Sequence, residues 1–229
     1  MLDVALISHL PNFSDFSRPE LEDFIRQSKA KRVEKNGSFF MEGEDAHSFY
    51  LLLDGYIRAV RVSASGEQII VRYIASHELF GIAGAIGRDT YPANAVAVVD
   101  CVALAWPTSL WNETVRKFPS FANAASVTLG NRLIDMQDRI IELATEQVEY
   151  RVASTLLKLI EQAGKETEEG LLIDVPLTRQ DVSDMSGTTL HTVSRLLSGW
   201  EQSGLVKSHR KRVVITDKIK LAKLYNAQK

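Results

Sequence analysis

Cysteine is almost absent: Cys101 is the only one in 229 residues. A single thiol closes no internal disulfide and cannot supply the thiolate set of an iron–sulfur cluster or a multi-cysteine zinc site, so those centres are excluded. Long apolar runs are missing as well, and no stretch reaches the ~20 uncharged residues of a membrane span. The opening MLDVALISHLPNF lacks the basic stretch of a secretory leader. These absences lead to the expectation of a cytoplasmic chain in a reducing compartment, without a membrane partner. No Gly-x-Ser-x-Gly elbow, phosphate-cradling glycine loop or metal-spaced His/Cys cluster occurs, so the expectation is no enzyme, no catalytic residues and no metal site.

What is present is ordinary in bulk and uneven in distribution. Hydrophobic residues at 45% and charged residues at 24% are globular values, which excludes intrinsic disorder. The net charge of -2 conceals a split at Tyr150. Residues 1–149 hold 14 Lys and Arg against 20 Asp and Glu, while residues 150–229 hold 13 against 9. An acidic body joined to a smaller basic module is expected where one module alone meets a polyanion.

The hydrophobic period changes along the chain. After a short helical lead-in over Pro19–Ser28, residues 33–106 are rich in Val, Ile and Tyr. They are punctuated by Asn36-Gly37, Glu42-Gly43, Asp54-Gly55 and Ser65-Gly66, which are hairpin signals between short antiparallel strands. That spacing predicts a β-barrel or roll, with Cys101 on a buried strand. From Pro119 the small residues Ala122 and Ser126 and the apolar Leu129, Leu133, Met136, Ile140 and Leu143 alternate steps of four and three, a heptad seam on one helix. One helix cannot bury such a seam on itself. It must pack on its own β-domain, on another helix, or on its copy in a second subunit.

A second helix, Val148–Ala163, stops at Gly164, read as a C-cap. Thr178-Arg179-Gln180-Asp181 then forms a capping box that starts a helix at about Arg179. Gly187 breaks that helix after Met185, and Thr189 caps another that runs through Leu190, Val193, Leu196, Leu197 and Trp200 to Gly204. Two short helices joined by a glycine turn make a helix-turn-helix, and the following VKSHRKRVVIT supplies a basic β wing. With Leu190, Val193, Leu196 and Leu197 facing inward, His191, Thr192, Ser194 and Arg195 project outward. His191 and Arg195, four apart, share a face. An exposed arginine fork can take guanine O6 and N7 together in the major groove, and Lys207, His209, Arg210, Lys211 and Arg212 are suited to phosphates.

The order of β-roll, seam helix and winged helix-turn-helix resembles the CRP/FNR family of bacterial transcription regulators over essentially the whole chain. The most specific stretch is LTRQDVSDMSGTTLHTVSRLLSGWEQSGLV, residues 177–206. MEGEDAHSFYLLLDGYIRAV, residues 41–60, is similar to the family's turn–strand–turn pattern, and ELFGIAG, residues 78–84, resembles the start of its effector pocket. The resemblance implies an α+β chain in three parts: an N-terminal cyclic-nucleotide-binding-like β-roll at 1–118, a dimerisation helix at 119–145, and a C-terminal winged helix-turn-helix at 146–229. It implies a homodimer through Ser126, Leu129, Leu133, Met136, Ile140 and Leu143, bound to an inverted repeat of double-stranded DNA, with RNA polymerase as a partner. It places Arg179, Thr189, His191, Thr192, Ser194 and Arg195 with the wing cations at the DNA, and Leu79, Phe80, Gly81, Ile82, Ala93 and Asn94 at the effector.

The departures from the family pattern bear on the effector. Cyclic-AMP-binding members hold the ribose through a Gly-Glu pair and the cyclic phosphate through an Arg-Ser pair. Here the matching positions are Gly81-Ile82 and Ala93-Asn94. A missing charge-assisted contact, worth about 1.5–3 kcal/mol, weakens cyclic AMP at least about tenfold, so an effector other than cyclic AMP is expected. With one cysteine, the family's iron–sulfur sensor is excluded. Heme as a nitric oxide or carbon monoxide sensor stays open as an alternative, with His9, His47 and, foremost, His77 as candidate ligands. The other alternative is a ligand-binding β-roll with no DNA function, which would make Arg195 and the basic wing solvated surface.

Overall fold

The computed structural model describes residues 3–63, 66, 68–209 and 211–226. Two compact units result: residues up to Arg61 with Tyr73–Met136, and Val62–Arg72 with the chain from Gln137 onward. In chain order the first elements are α1 (Arg18–Arg26), β1 (Lys29–Val33), β2 (Ser38–Phe40), β3 (Ser48–Asp54), β4 (Ile57–Val62), β5 (Gln68–Ile74), β6 (Leu79–Phe80), β7 (Asn94–Ala97), β8 (Cys101–Pro107) and α2 (Trp111–Lys117). They are followed by α3 (Pro119–Thr145), α4 (Val148–Ala163), β9 (Gly164–Thr167), β10 (Gly170–Ile173), α5 (Arg179–Ser186), α6 (Leu190–Gln202), β11 (Val206–His209), β12 (Arg212–Ile215) and α7 (Lys218–Asn226). The division between the units falls within α3.

The roll consists of two four-stranded sheets, β1-β8-β3-β6 and β2-β7-β4-β5. Strand β3 is buried on both faces, and its period of two sorts side chains between two cores. Phe49 and Leu51 join Leu104, Trp106 and the helical residues Phe24, Trp111 and Phe121 in one cluster. Tyr50 and Leu52 join Phe40, Phe80, Ala103 and Cys101 in the other. Trp106, fully buried, donates its Nε1–H to Phe24 O at 2.7 Å, which ties β8 to α1 while satisfying the indole.

The turn signals hold where the backbone needs them. At Asn36-Gly37 the left-handed residue is Asn36, and at Asp54-Gly55 it is Gly55, with φ of 101°. A Cβ on Gly55 would stand 2.6 Å from Cys101 Sγ, so the hairpin can close on β8 only with glycine there. Ser65, in the fourth turn, lies outside the described residues. The apolar run from Val96 to Trp106 is two strands, β7 and β8, separated by a turn at Asp100.

In the second unit the sheet order is β11-β12-β10-β9, and α4, α5 and α6 contribute buried Val152, Leu156, Val182, Val193 and Leu197. Gly164 is not a left-handed cap: at φ -82° and ψ 140° it opens β9, and its Cβ position would lie 2.2 Å from Ile160 O. The polar run after it is therefore the β9–β10 hairpin, which the sequence reading missed together with α7. Among the described residues no helix is long and apolar enough to cross a membrane.

Candidate nucleic-acid interface

Helix α5 begins as the capping box dictates. Thr178 Oγ1 accepts from Asp181 N at 3.0 Å, and Asp181 Oδ2 accepts from Thr178 N at 2.8 Å. Gly187 ends it at φ 63°. Thr189 caps α6, accepting from Thr192 N at 3.2 Å, and its hydroxyl meets that of Thr192 at 3.0 Å. Both threonines therefore brace the first turn of α6. Val193, Leu197 and Trp200 are buried at steps of four and three, which fixes the opposite face outward. His191 and Arg195 are exposed on that face, and Ser194 is half-buried.

Leu190 departs from the expected inward set. It is the first residue of α6 and is 45% exposed. It lies on the stripe of Val193 and Leu197, and the outward face carries the row of His191 and Arg195, four apart. Leu190 is a candidate contact residue that helical period alone assigned to the core.

The wing closes onto the start of α5. Lys211, left-handed at φ 70°, accepts at its backbone oxygen from Leu177 N at 2.9 Å. Between them lies a cleft of about 290 Å³, bordered by Thr178, Arg179, His209, Lys211 and Arg212. Glu201, from the last turn of α6, organises one wall. Its Oε1 accepts from Ser208 N at 2.9 Å and from the Ser208 hydroxyl, and its Oε2 stands 3.9 Å from Arg179 Nη2. The sequence reading missed Glu201, whose partners lie 7 residues ahead and 22 behind. Lys207 does not border this cleft: its Nζ pairs with Glu169 Oε1 at 3.1 Å, on the turn between β9 and β10. Arg210 lies outside the described residues.

Along α3 the expected seam is partly free and partly used by the chain itself. Leu129 packs against the core of the roll, and Ser126 Oγ donates back to Ala122 O at 2.9 Å. Leu143 leans on the turn at Gly187, whose Cβ position is 2.8 Å from Leu143 Cδ2. Leu133, Met136 and Ile140 stand open, Ile140 at 66% exposure. Val127, Ile134 and Ile141, seven apart, form a second exposed apolar row outside the seam. Large apolar side chains exposed in rows on one helix are uncommon on the surface of a monomer.

The apolar residues expected at the effector divide between the two cores. Leu79 and Ile82 belong to one core cluster and Phe80 to the other, because neighbouring strand residues point to opposite faces. Phe40 stacks on Tyr91 with ring centroids 3.7 Å apart, and Tyr50 on Phe80 at 4.9 Å. Gly81 sits against this stack, its Cβ position 2.8 Å from Tyr50. Buried Asn94 accepts at its Oδ1 from Glu42 N at 2.7 Å, and Ala93 is half-buried. The apolar character of the segment thus reflects core packing. His77 is exposed on a turn with φ of 73°, its ring edge-on to His9 at 5.7 Å, and exposed His47 lies 3.8 Å from Asp45. All three candidate histidines, His9, His47 and His77, are thus exposed on surface turns. Among the described residues, no group of three or more His, Cys, Asp or Glu could hold a metal ion.

Comparisons with known proteins match this division. A sequence model of the Crp-like helix-turn-helix domain matches residues 150–224, and one of the cyclic nucleotide-binding domain matches residues 30–118. The global nitrogen regulator of Synechococcus elongatus is 27% identical over 198 residues, covering 86% of this chain and 89% of that protein. The fumarate and nitrate reduction regulatory protein of Escherichia coli K12 is 23% identical over 205 residues, covering 90% and 81%. Among solved structures, FixK2 from Bradyrhizobium japonicum superposes with a TM-score of 0.76 at 21% identity, covering 86% of this chain and 96% of that one. A CooA variant from Carboxydothermus hydrogenoformans gives 0.77 at 19%, covering 96% and 95%.

Proposed function

From the premise that the chain belongs to the CRP/FNR family of DNA-binding transcription regulators and is no enzyme, we propose that it acts as a cytoplasmic homodimer on an inverted repeat. Two copies meeting along α3 would cover Leu133, Met136 and Ile140 and present two α6 helices about 34 Å apart, one turn of B-DNA. The observation that carries the reading is α6 itself, buried along Val193, Leu197 and Trp200 while His191 and Arg195 stay exposed.

Arg195 takes guanine O6 and N7, and Ser194 and His191 meet neighbouring base edges. His191 stands where the family carries Glu, so its donor and acceptor pattern differs and the family's base at that position does not transfer. Leu190 packs against a thymine methyl. The cleft of Arg179, His209, Lys211 and Arg212 receives the phosphate backbone, which sets register without reading sequence. RNA polymerase is the partner that the family relationship implies. The effector is one other than cyclic AMP: Ile82 is buried and Asn94 already accepts from Glu42 N, so neither is arranged to hold a ribose or a cyclic phosphate. In a gel shift on a duplex selected by the native protein, Arg195→Ala weakens binding by about 1–3 kcal/mol per half-site and relaxes preference at one base pair. An unchanged half-site in the Arg195→Ala selection would remove α6 as the reading helix.

A further inference from the structure

We propose that Arg139 and Arg151 form a two-armed clamp that positions the reading helix by holding the turn before it against the end of α3. The proposal rests on the reading that α6 enters the DNA. It begins from the C-terminus of α5, whose last carbonyls have no partner within the helix and carry the negative end of its dipole. Two guanidinium groups from outside the helix-turn-helix reach these carbonyls. Arg151 Nε donates to Ser186 O at 3.0 Å and Nη2 to Gly187 O at 3.2 Å, while Nη1 donates to Glu146 O at 2.9 Å. Arg139 Nη2 donates to Asp184 O at 3.3 Å. One planar fork therefore joins the α3–α4 hinge at Glu146 to the turn at Gly187, and the second arm comes from α3 itself.

The surroundings make this contact stiff. Gly187 is left-handed at φ 63°, and a Cβ there would meet Leu143 Cδ2 at 2.8 Å, so the turn lies directly against the last turns of α3. Buried Glu142 accepts from Ser154 Oγ and Lys158 Nζ, each at 2.8 Å, which fastens α3 to α4 on the other side of the hinge. Only Thr188 and the cap Thr189 separate Gly187 from the first residue of α6. A displacement of α3 near Ile140 and Leu143, which carry part of the exposed apolar face, is thus delivered to the start of the reading helix. Lysine cannot replace Arg151, because one ammonium on a flexible stem does not reproduce a rigid fork of donors.

The test uses the full chain with Arg151→Lys and, separately, Arg139→Lys. Circular dichroism and sedimentation establish fold and assembly state. Affinity is then measured for a duplex selected from a randomised pool by the native protein and for a scrambled duplex of equal length at the same salt. For Arg151→Lys, the selected duplex weakens by about tenfold or more, the size of a single mismatched base pair, while the scrambled one stays within about twofold. A loss of folded protein would lower both in parallel, so a parallel fall overturns the clamp, as does a selected affinity within about twofold of native. Arg195→Ala in the same assay separates the two failures. If it weakens the selected duplex while Arg151→Lys does not, the clamp alone is wrong. If neither does, the reading of α6 falls with it.

Discussion

The β-roll and the winged helix-turn-helix both put apolar side chains behind a working surface, yet they use the opposite face differently. In the roll, β3 and β8 are buried on both sides, and the aromatic rings of Phe40, Tyr50, Phe80 and Tyr91 stack inside one of its cores. In the second unit only one side of α6 is buried, and the other side displays His191 and Arg195 beside a cationic cleft. The second unit therefore shows its polar and cationic side chains at the surface, whereas the roll turns its aromatic ones inward.

The largest way to break this comparison acts on α3, which runs through both units. Leu133→Lys with Met136→Lys places two charges where the partner helix would cover them, at a cost of several kcal/mol, and sedimentation should show monomer with specific DNA binding abolished. A dimer that persists would move the interface elsewhere, with the row Val127, Ile134 and Ile141 the next to test.

Next in size is the roll itself. Trp106→Ala empties the junction of β8, α1 and α2 and should cost about 3–5 kcal/mol in denaturant unfolding. Cys101 offers a second readout of the same opening. Burial raises its thiol pKa above the ordinary value, so alkylation is slow in the native protein and should quicken in Trp106→Ala. An unchanged alkylation rate would mean that the roll stays closed around Cys101 without Trp106.

On the DNA side the effects are smaller and more selective. Replacing the contacted thymine by deoxyuridine removes one methyl group. It should weaken the native protein by about 0.8 kcal/mol per half-site and leave Leu190→Ala unaffected. Equal losses in both proteins would return Leu190 to a packing role. Lys211→Ala should weaken every sequence alike and reduce the salt slope by about 0.9 for each phosphate that the ammonium neutralises. A change confined to one sequence would mean that Lys211 reads a base.

How much of the molecule is legible in its sequence follows the same division. The helix-turn-helix is legible because its signals are local: Thr178 with Asp181, Gly187, and Thr189 with Thr192 each act within four residues. Leu190 is misplaced by its period because a helical repeat marks a face but not where the covering residues stop. The ion pair of Lys207, on the wing strand β11, is not legible because its partner Glu169 is 38 residues away in sequence. The β9–β10 hairpin escapes notice because GKET has no apolar alternation to announce a strand. In the roll, Leu79, Phe80 and Ile82 look like a pocket lining because they are apolar neighbours. Which sheet face each occupies is set by pairing of Tyr50 with Phe80 and Leu51 with Leu79, contacts about 30 residues apart. The two-armed contact of Arg139 and Arg151 leaves no pattern at all, since arginines on helices are ordinarily solvated.

The central claim, a dimer that reads DNA through α6, is tested most directly by selecting binding sites from a randomised duplex pool with the native full-length protein. The account predicts enrichment of an inverted repeat whose half-site centres lie about 34 Å, or about 10 base pairs, apart. Enrichment of a single unpaired half-site, or none at all, would contradict it.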